Sequence, residues 1–320
     1  MREKTDRPPA SVPTQNAIEE VMVESGYYWP KAQQSAYEMA GLAWACHEIS
    51  GIESVRVPFD LTVEAEAMGC AVRFGDEPTT PPLASPLKAN EMDRLTIASP
   101  YKDGRMPEVL KAIEILKEKT LDEIPLIVAI ATPFEILSST MDFEEIAMYF
   151  IEDPGFLKAQ LAKMTEVSIS YASAAVKAGA DIIFLADGTS QSIGPPYFKE
   201  FSFPDTKELA SAIDVPTILH ICGNPTAILP LMADTGVSAL SIDKPVDITK
   251  AIELVGDKVA LVGNIAPMTL LNGGPEEIVK EVQDAIDKGV NVVAPGCGIL
   301  PTTPLAHVKA YVNHVKGLIA

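Results

Sequence analysis

The chain alternates between short, almost wholly apolar runs and longer stretches in which apolar residues recur every three or four positions. The apolar runs at 54–59, 125–131, 181–186, 216–221, 239–242, 259–262 and 290–294 read as β-strands. Near-continuous apolarity is what a parallel strand covered on both faces requires. Between them, residues 157–178, 225–233, 248–255 and 275–288 carry helical spacing, and a glycine follows each. The last of these opens with proline and two glutamates and stops at Gly289, a full set of helix start and stop signals. Repeated helix–glycine–strand units predict right-handed βαβ crossovers. Seven or eight such units predict an α/β fold, a (β/α)8 TIM barrel. A doubly wound open sheet is the competing arrangement, but no G-x-G-x-x-G loop follows any strand.

The first 50 residues combine a proline-rich lead-in with a helical stretch at 32–50, which reads as an N-terminal helical cap on one end of the barrel. No long linker, repeat or low-complexity tract interrupts the pattern, so residues 1–320 are expected to form one domain.

Composition narrows the function classes. Apolar residues make up 47% of the 320, enough for a large core. The formal charge of −19 argues against a nucleic-acid binder and against docking on anionic membranes. The opening MREKTDRPPASVPTQ lacks the apolar centre of a signal peptide. The best apolar run, at 124–134, is about half of the roughly 20 residues a membrane span needs. A cytoplasmic, reducing location is therefore expected. There Cys46, Cys70, Cys222 and Cys297 are thiols or metal ligands before they are disulfides.

The strand at 216–221 runs into His220-Ile221-Cys222-Gly223. Residues i and i+2 of a strand face the same side, so His220 and Cys222 point together at a C-terminal strand end, where barrel enzymes keep their sites. The last strand runs into Pro295-Gly296-Cys297-Gly298, which brings a second sulfur to the same rim. One imidazole and two thiolates form a Zn2+ ligand set of the catalytic, three-donor kind. Glycines on both sides of Cys297 would let that loop approach closely. Two other accounts compete: either cysteine as a plain core residue, and a catalytic Cys–His pair, which leaves the other cysteine without a role. His47, His307, His314, Cys46 and Cys70 read as packing or surface residues. Asp60, Asp187 and Asn264 also fall at C-terminal strand ends and are candidates for lining the pocket; the bland alternative is capping of the next helix.

These residues carry a resemblance. HICGN around 220, PGCG around 297, PFDLTVEAEAMGC at 58–70, GYYWPKA at 26–32, LADGTSQSIGPPYFKEF at 185–201 and LVGNIAP at 261–267 resemble the uroporphyrinogen decarboxylase superfamily. More narrowly they are similar to its zinc-dependent methylcobalamin:coenzyme M methyltransferases. The resemblance covers nearly the whole chain, and its specific part is His-x-Cys…Cys. It implies His220, Cys222 and Cys297 as zinc ligands. Distant relatives, the cobalamin-independent methionine synthases, add an acidic ligand at the place of Asp243; a turn-capping Asp243 is the equal alternative. Asp60 matches the decarboxylases' catalytic aspartate, but their arginine-rich N-terminal segment is here reduced to Arg7. The implied activity is methyl transfer from a methylated corrinoid to a thiol such as coenzyme M, with the zinc-bound thiolate as nucleophile and no dedicated side-chain base. A decarboxylase is the alternative. No Asp-x-His-x-x-Gly corrinoid motif occurs, so a separate corrinoid-carrying protein is implied as partner. The helix starting near Pro304 offers N–H groups to the thiol's sulfonate, with ordinary capping as the simpler account.

Overall fold

The computed structural model describes residues 6–77 and 79–317; the outermost ends of the expected domain, 1–5 and 318–320, lie outside the described residues. Seven parallel strands form one sheet: β1 (Val55–Val57), β4 (Leu126–Ala131), β5 (Ile182–Asp187), β6 (Thr217–Ile221), β7 (Ala239–Ser241), β8 (Ala260–Ile265) and β9 (Val292–Pro295). They pair in chain order, β1 to β4 and then each to the next. The strands β2 (Val72–Arg73) and β3 (Leu83–Ala84) form a separate antiparallel pair.

The strand alternation produces two apolar faces. Ile127, Ala129, Phe184, Ala186, Ile218, Ala239, Val262 and Ala294 make one buried cluster, the inside of the curled sheet. Their neighbours Val128, Ile130, Ile183, Leu185, Leu219, Leu240, Leu261 and Val293 belong to a larger core under the helices. Both faces are dry, which is why the strands read as continuous apolar runs. Burying the side chains of both faces is the main stabilising term, at about 1.5–3 kcal/mol for each large one.

The two edges of the sheet are joined by residues 9–11. Ala10 forms a parallel bridge with Val293. Ser11 N–H donates to Val293 O (3.0 Å), Val293 N–H to Pro9 O (3.0 Å), and Glu53 N–H to Ala10 O (2.8 Å). The Glu53 carboxylate accepts from both Arg7 nitrogens and from Ala10 N–H. The lead-in thus lies in the barrel wall, at the eighth position. The helix Ala36–Ser50 forms close to its expected bounds and packs against β1 and the helix Met106–Thr120, as the first member of the outer helix layer. Three residues among prolines are too few to leave a strand pattern in the sequence, so only the helix was legible there.

The fully buried Tyr311, on the helix Leu305–Val315, ties this closure down: its hydroxyl is 2.7 Å from Val293 O and 3.0 Å from Ser11 O. Replacing Tyr311 with Phe removes that donor and leaves the packing. The expected loss is about 1–2 kcal/mol of stability in denaturant titration; an unchanged midpoint would mean the hydroxyl does not hold the closure.

Candidate metal centre

Ile218 points into the barrel, so His220, two residues on, points the same way and is only 3% exposed. Its ring lies against Phe184, one strand over. Cys222 sits one residue past the end of β6, anchored by its N–H to Asp187 O (3.1 Å). Gly223 then turns the chain at φ +78°, a conformation glycine adopts without penalty.

Cys297 arrives from the other direction. β9 ends at Pro295, and Gly296 N–H bonds Ile265 O (2.7 Å). A Cβ on Gly296 would lie 2.7 Å from Lys244 N and 3.0 Å from Asp243 Cα, so any larger residue would push the Cys297 loop off the rim. Thr14 donates its hydroxyl to Cys297 O (3.0 Å) and pins the loop to the N-terminal segment.

The three donors meet. His220 Nε2 is 3.2 Å from Cys222 Sγ, the two sulfurs are 3.7 Å apart, and all three ligand atoms lie within 4.8 Å of one another. A tetrahedral ion with bonds of about 2.3 Å to sulfur and about 2.0–2.1 Å to nitrogen would separate its sulfurs by about 3.8 Å and nitrogen from sulfur by about 3.6 Å. The donor set fits zinc in identity, and the His220–Cys222 and Cys222–Cys297 separations lie within about 0.4 Å of these values. His220 Nδ1 faces Ser241 O (3.2 Å) and Ser241 Oγ (3.1 Å). Donation from Nδ1–H to that carbonyl fixes the tautomer that leaves Nε2 free to ligate. The hydrogen bond between the sulfurs pulls Cys297 down to about 4, helped by His220 and opposed by burial. The same bond, together with burial, raises Cys222.

Asp243 stands outside this cluster. Its two carboxylate oxygens accept from Gly223 N–H (2.9 Å) and Lys244 N–H (2.7 Å). In this arrangement Asp243, expected either as a fourth ligand or as a turn cap, braces the turn after Cys222 and lies against the glycine before Cys297. Asn264 braces Asp243 in turn, donating to Asp243 O (3.2 Å) and Val246 O (2.8 Å), and faces an outer groove with Lys244 and Asp284 rather than the barrel cavity. Asp187 does border the cavity, but its oxygens are spent on Thr132, Thr189 and Ser190, the capping role weighed against a pocket role. Asp60 is gripped at both oxygens by Arg105 (2.8 and 2.9 Å) and accepts from Thr62 as well. Burial raises its pKa, yet the Arg105 charge and these hydrogen bonds outweigh burial and hold it below the usual carboxylate range. The start of the C-terminal helix is occupied too: Leu305 N–H bonds the Glu20 carboxylate (3.2 Å).

Two connected cavities open at the rim. The inner one, about 180 Å3, is bordered by His220, Cys222, Cys297, Phe184, Arg56 and Thr14. The outer one, about 680 Å3, is mostly apolar and includes Trp29, Pro81, Pro82, Pro86, Leu300 and Glu135. Phe59, Leu61 and Gln15 border both. Glu135 is pushed up to about 7, first by burial and then by Asp187. The remaining candidates are structural, as expected: Cys46 and Cys70 are buried, and His47, His307 and His314 bond Ile52 O, Leu270 O and Gln283 Oε1. Sequence reasoning missed Arg56, Glu135 and Ser241. A lone arginine between two valines in a dry strand was a readable signal; the other two were not.

The EAEAMG stretch at 64–69 has a physical role. Glu66 bonds Arg105 (2.6 Å), and buried Glu64 accepts from Ala131 N–H (2.8 Å) at the end of β4.

The family model for uroporphyrinogen decarboxylase (URO-D) matches residues 1–318. The methylcobamide:CoM methyltransferase MtaA of Methanosarcina barkeri is 38% identical over 312 residues, 96% of this chain and 92% of that protein. The methylcobamide:CoM methyltransferase MtbA of Methanosarcina acetivorans is 36% identical, over 98% and 94%. A solved methyltransferase structure from Methanosarcina mazei superposes with a TM-score of 0.93 at 37% identity, covering 98% of this chain and 95% of that one.

Two outcomes follow from the site's chemistry. Cys222→Ser and Cys297→Ser should each weaken Zn2+ binding by at least about 100-fold in competition with a chromogenic chelator, since each removes one donor of three; stoichiometric zinc in either variant would dissolve the cluster. Glu64 is pushed by burial from the ordinary 4.5 to about 8. The native state then keeps a proton that the unfolded chain has lost, so this group makes stability fall as pH rises from about 4.5 to about 8. Glu64→Gln should flatten that slope in denaturant titrations across this range; an unaltered slope would show that Glu64 ionises normally.

Proposed function

The chain belongs to the uroporphyrinogen decarboxylase (URO-D) family, and from that premise we propose that it is a zinc-dependent methyltransferase that moves a methyl group from a methylated corrinoid to a small thiol such as coenzyme M. The observation that carries the proposal is the His220–Cys222–Cys297 cluster at the mouth of a small cavity, on a chain similar along its length to methylcobamide:CoM methyltransferases. Three protein donors are the number typical of a catalytic zinc.

Zinc at this cluster would supply the Lewis acidity that keeps an acceptor thiol deprotonated at neutral pH. The chain's own residues set the rest. Two cysteinates and one neutral imidazole cancel the charge of a divalent ion, so the acceptor sulfur keeps its negative charge and its nucleophilicity. Ser241 holds the His220 ring in the ligating tautomer, and Asp243 and Gly296 hold the two sulfur-bearing loops together. In the overall reaction an S–CH3 bond forms and a Co–CH3 bond breaks, with its electron pair left on cobalt and the thiol proton released to water. No side chain has to store that proton. The outer cavity, lined by Trp29 and four prolines, suits the apolar approach of a corrinoid presented by a separate carrier protein. No helix among the described residues is long and apolar enough to cross a membrane. A reducing cytoplasm suits a site built on two free thiols.

A decarboxylase is the weaker reading, because Asp60, the aspartate it would use, has both oxygens committed to Arg105. Purified, zinc-loaded protein incubated with free methylcobalamin and 2-mercaptoethanesulfonate should demethylate the corrinoid, read by its changing visible spectrum, and chelation should stop the reaction. Demethylation that survives complete zinc removal, or none with any thiol, would overturn the assignment.

A further inference from the structure

Among the described residues, Arg56 is the one Lys or Arg bordering the inner cavity. It sits at the middle of β1 between Val55 and Val57, which face the outer core, and pairs in register with Ile127 of the inner cluster. It therefore projects into the barrel, and it is 2% exposed. A buried guanidinium ordinarily has a carboxylate partner. Among the described residues Arg56 has no ion pair; its Nε donates to Pro13 O (3.2 Å), and its Nη1 is buried with no hydrogen-bond partner. Burial without that partner drags its pKa down to about 10 despite the more distant Asp60 and Cys46. The other buried arginine among the described residues, Arg105, shows the contrast, since it is ion-paired with both Asp60 and Glu66.

A donor left unpaired in a dry site is a standing cost that a ligand oxygen can remove. The cavity that Arg56 borders also holds the three metal-ligand candidates, and at about 180 Å3 it lies below the roughly 300–1,000 Å3 of pockets for drug-sized ligands. We infer that Arg56 is the specificity-determining residue for the acceptor: it binds an anionic group at the far end of a short thiol whose sulfur reaches the His220–Cys222–Cys297 cluster. The acceptor class is then a short-chain thiol with a terminal sulfonate or similar oxyanion. A neutral thiol of the same length would leave Nη1 unpaired. Pro13, which orients Arg56, and Thr14, which holds the Cys297 loop, are consecutive, so one segment sets the span between the two ends of the ligand.

The inference rests on the methyl-transfer reading, but binding can be tested without methyl transfer. Ethanesulfonate, which has no thiol, should raise the melting temperature of the zinc-loaded protein, whereas the neutral ethyl methyl sulfone should not. In Arg56→Gln the ethanesulfonate shift should vanish, and in Arg56→Lys it should partly return. Where the methyl-transfer assay works, Arg56→Gln should lower the kcat/KM ratio of 2-mercaptoethanesulfonate over 2-mercaptoethanol by about 10- to 100-fold, chiefly through KM. Equal stabilisation by the sulfonate and the sulfone, or a ratio unchanged in Arg56→Gln, would overturn the role of Arg56. Wild-type protein that binds ethanesulfonate but demethylates no corrinoid would sink the function and leave the anion site standing. If Arg56→Gln does not fold, the sulfonate–sulfone comparison on the wild type still decides.

Discussion

Two sulfur atoms 3.7 Å apart, carried by residues 75 positions apart in the chain, are the contact on which the site depends. Holding them there takes a glycine that no side chain could replace, an aspartate spent on backbone N–H groups, and a threonine that clamps a carbonyl. The parallel sheet makes this possible, since every strand delivers its C-terminal end to the same rim. The barrel supplies direction, and a few loop contacts supply the last ångströms.

That division explains what the sequence disclosed. Strands buried on both faces advertise themselves as apolar runs, so seven of the eight wall positions and the convergence of His220, Cys222 and Cys297 were legible from pattern and spacing. The eighth position was not, because residues 9–11 are held by edge hydrogen bonds rather than by alternation. Position at a strand end brought Asp187 to the inner cavity and Asn264 to an outer groove, but it does not say whether a side chain's polar atoms face a cavity or the neighbouring backbone. Arg56 was overlooked for the opposite reason, since its charge was visible but it lay within a strand.

The buried polar network beneath the outer cavity separates two chemistries that this fold can host. Asp60, Glu66 and Arg105 form a closed set, with a bidentate pair and every strong donor matched. A carboxylate so fully occupied has little left to offer a substrate. Four positions before Asp60 in the chain, Arg56 is the reverse case, a cation with no ion pair among the described residues. In one family fold, the same kind of side chain can serve as mortar or as receptor, and the presence of an internal anion decides which.

The bridge between Ala10 and Val293 has a consequence for assembly. The stretch 9–11 precedes every strand of the wall in the chain but has no neighbour on one side until β9 has been translated. Contacts of such sequence separation carry a high loop-closure cost and form late. The nascent chain must therefore keep an open sheet edge in check until β9 has been made.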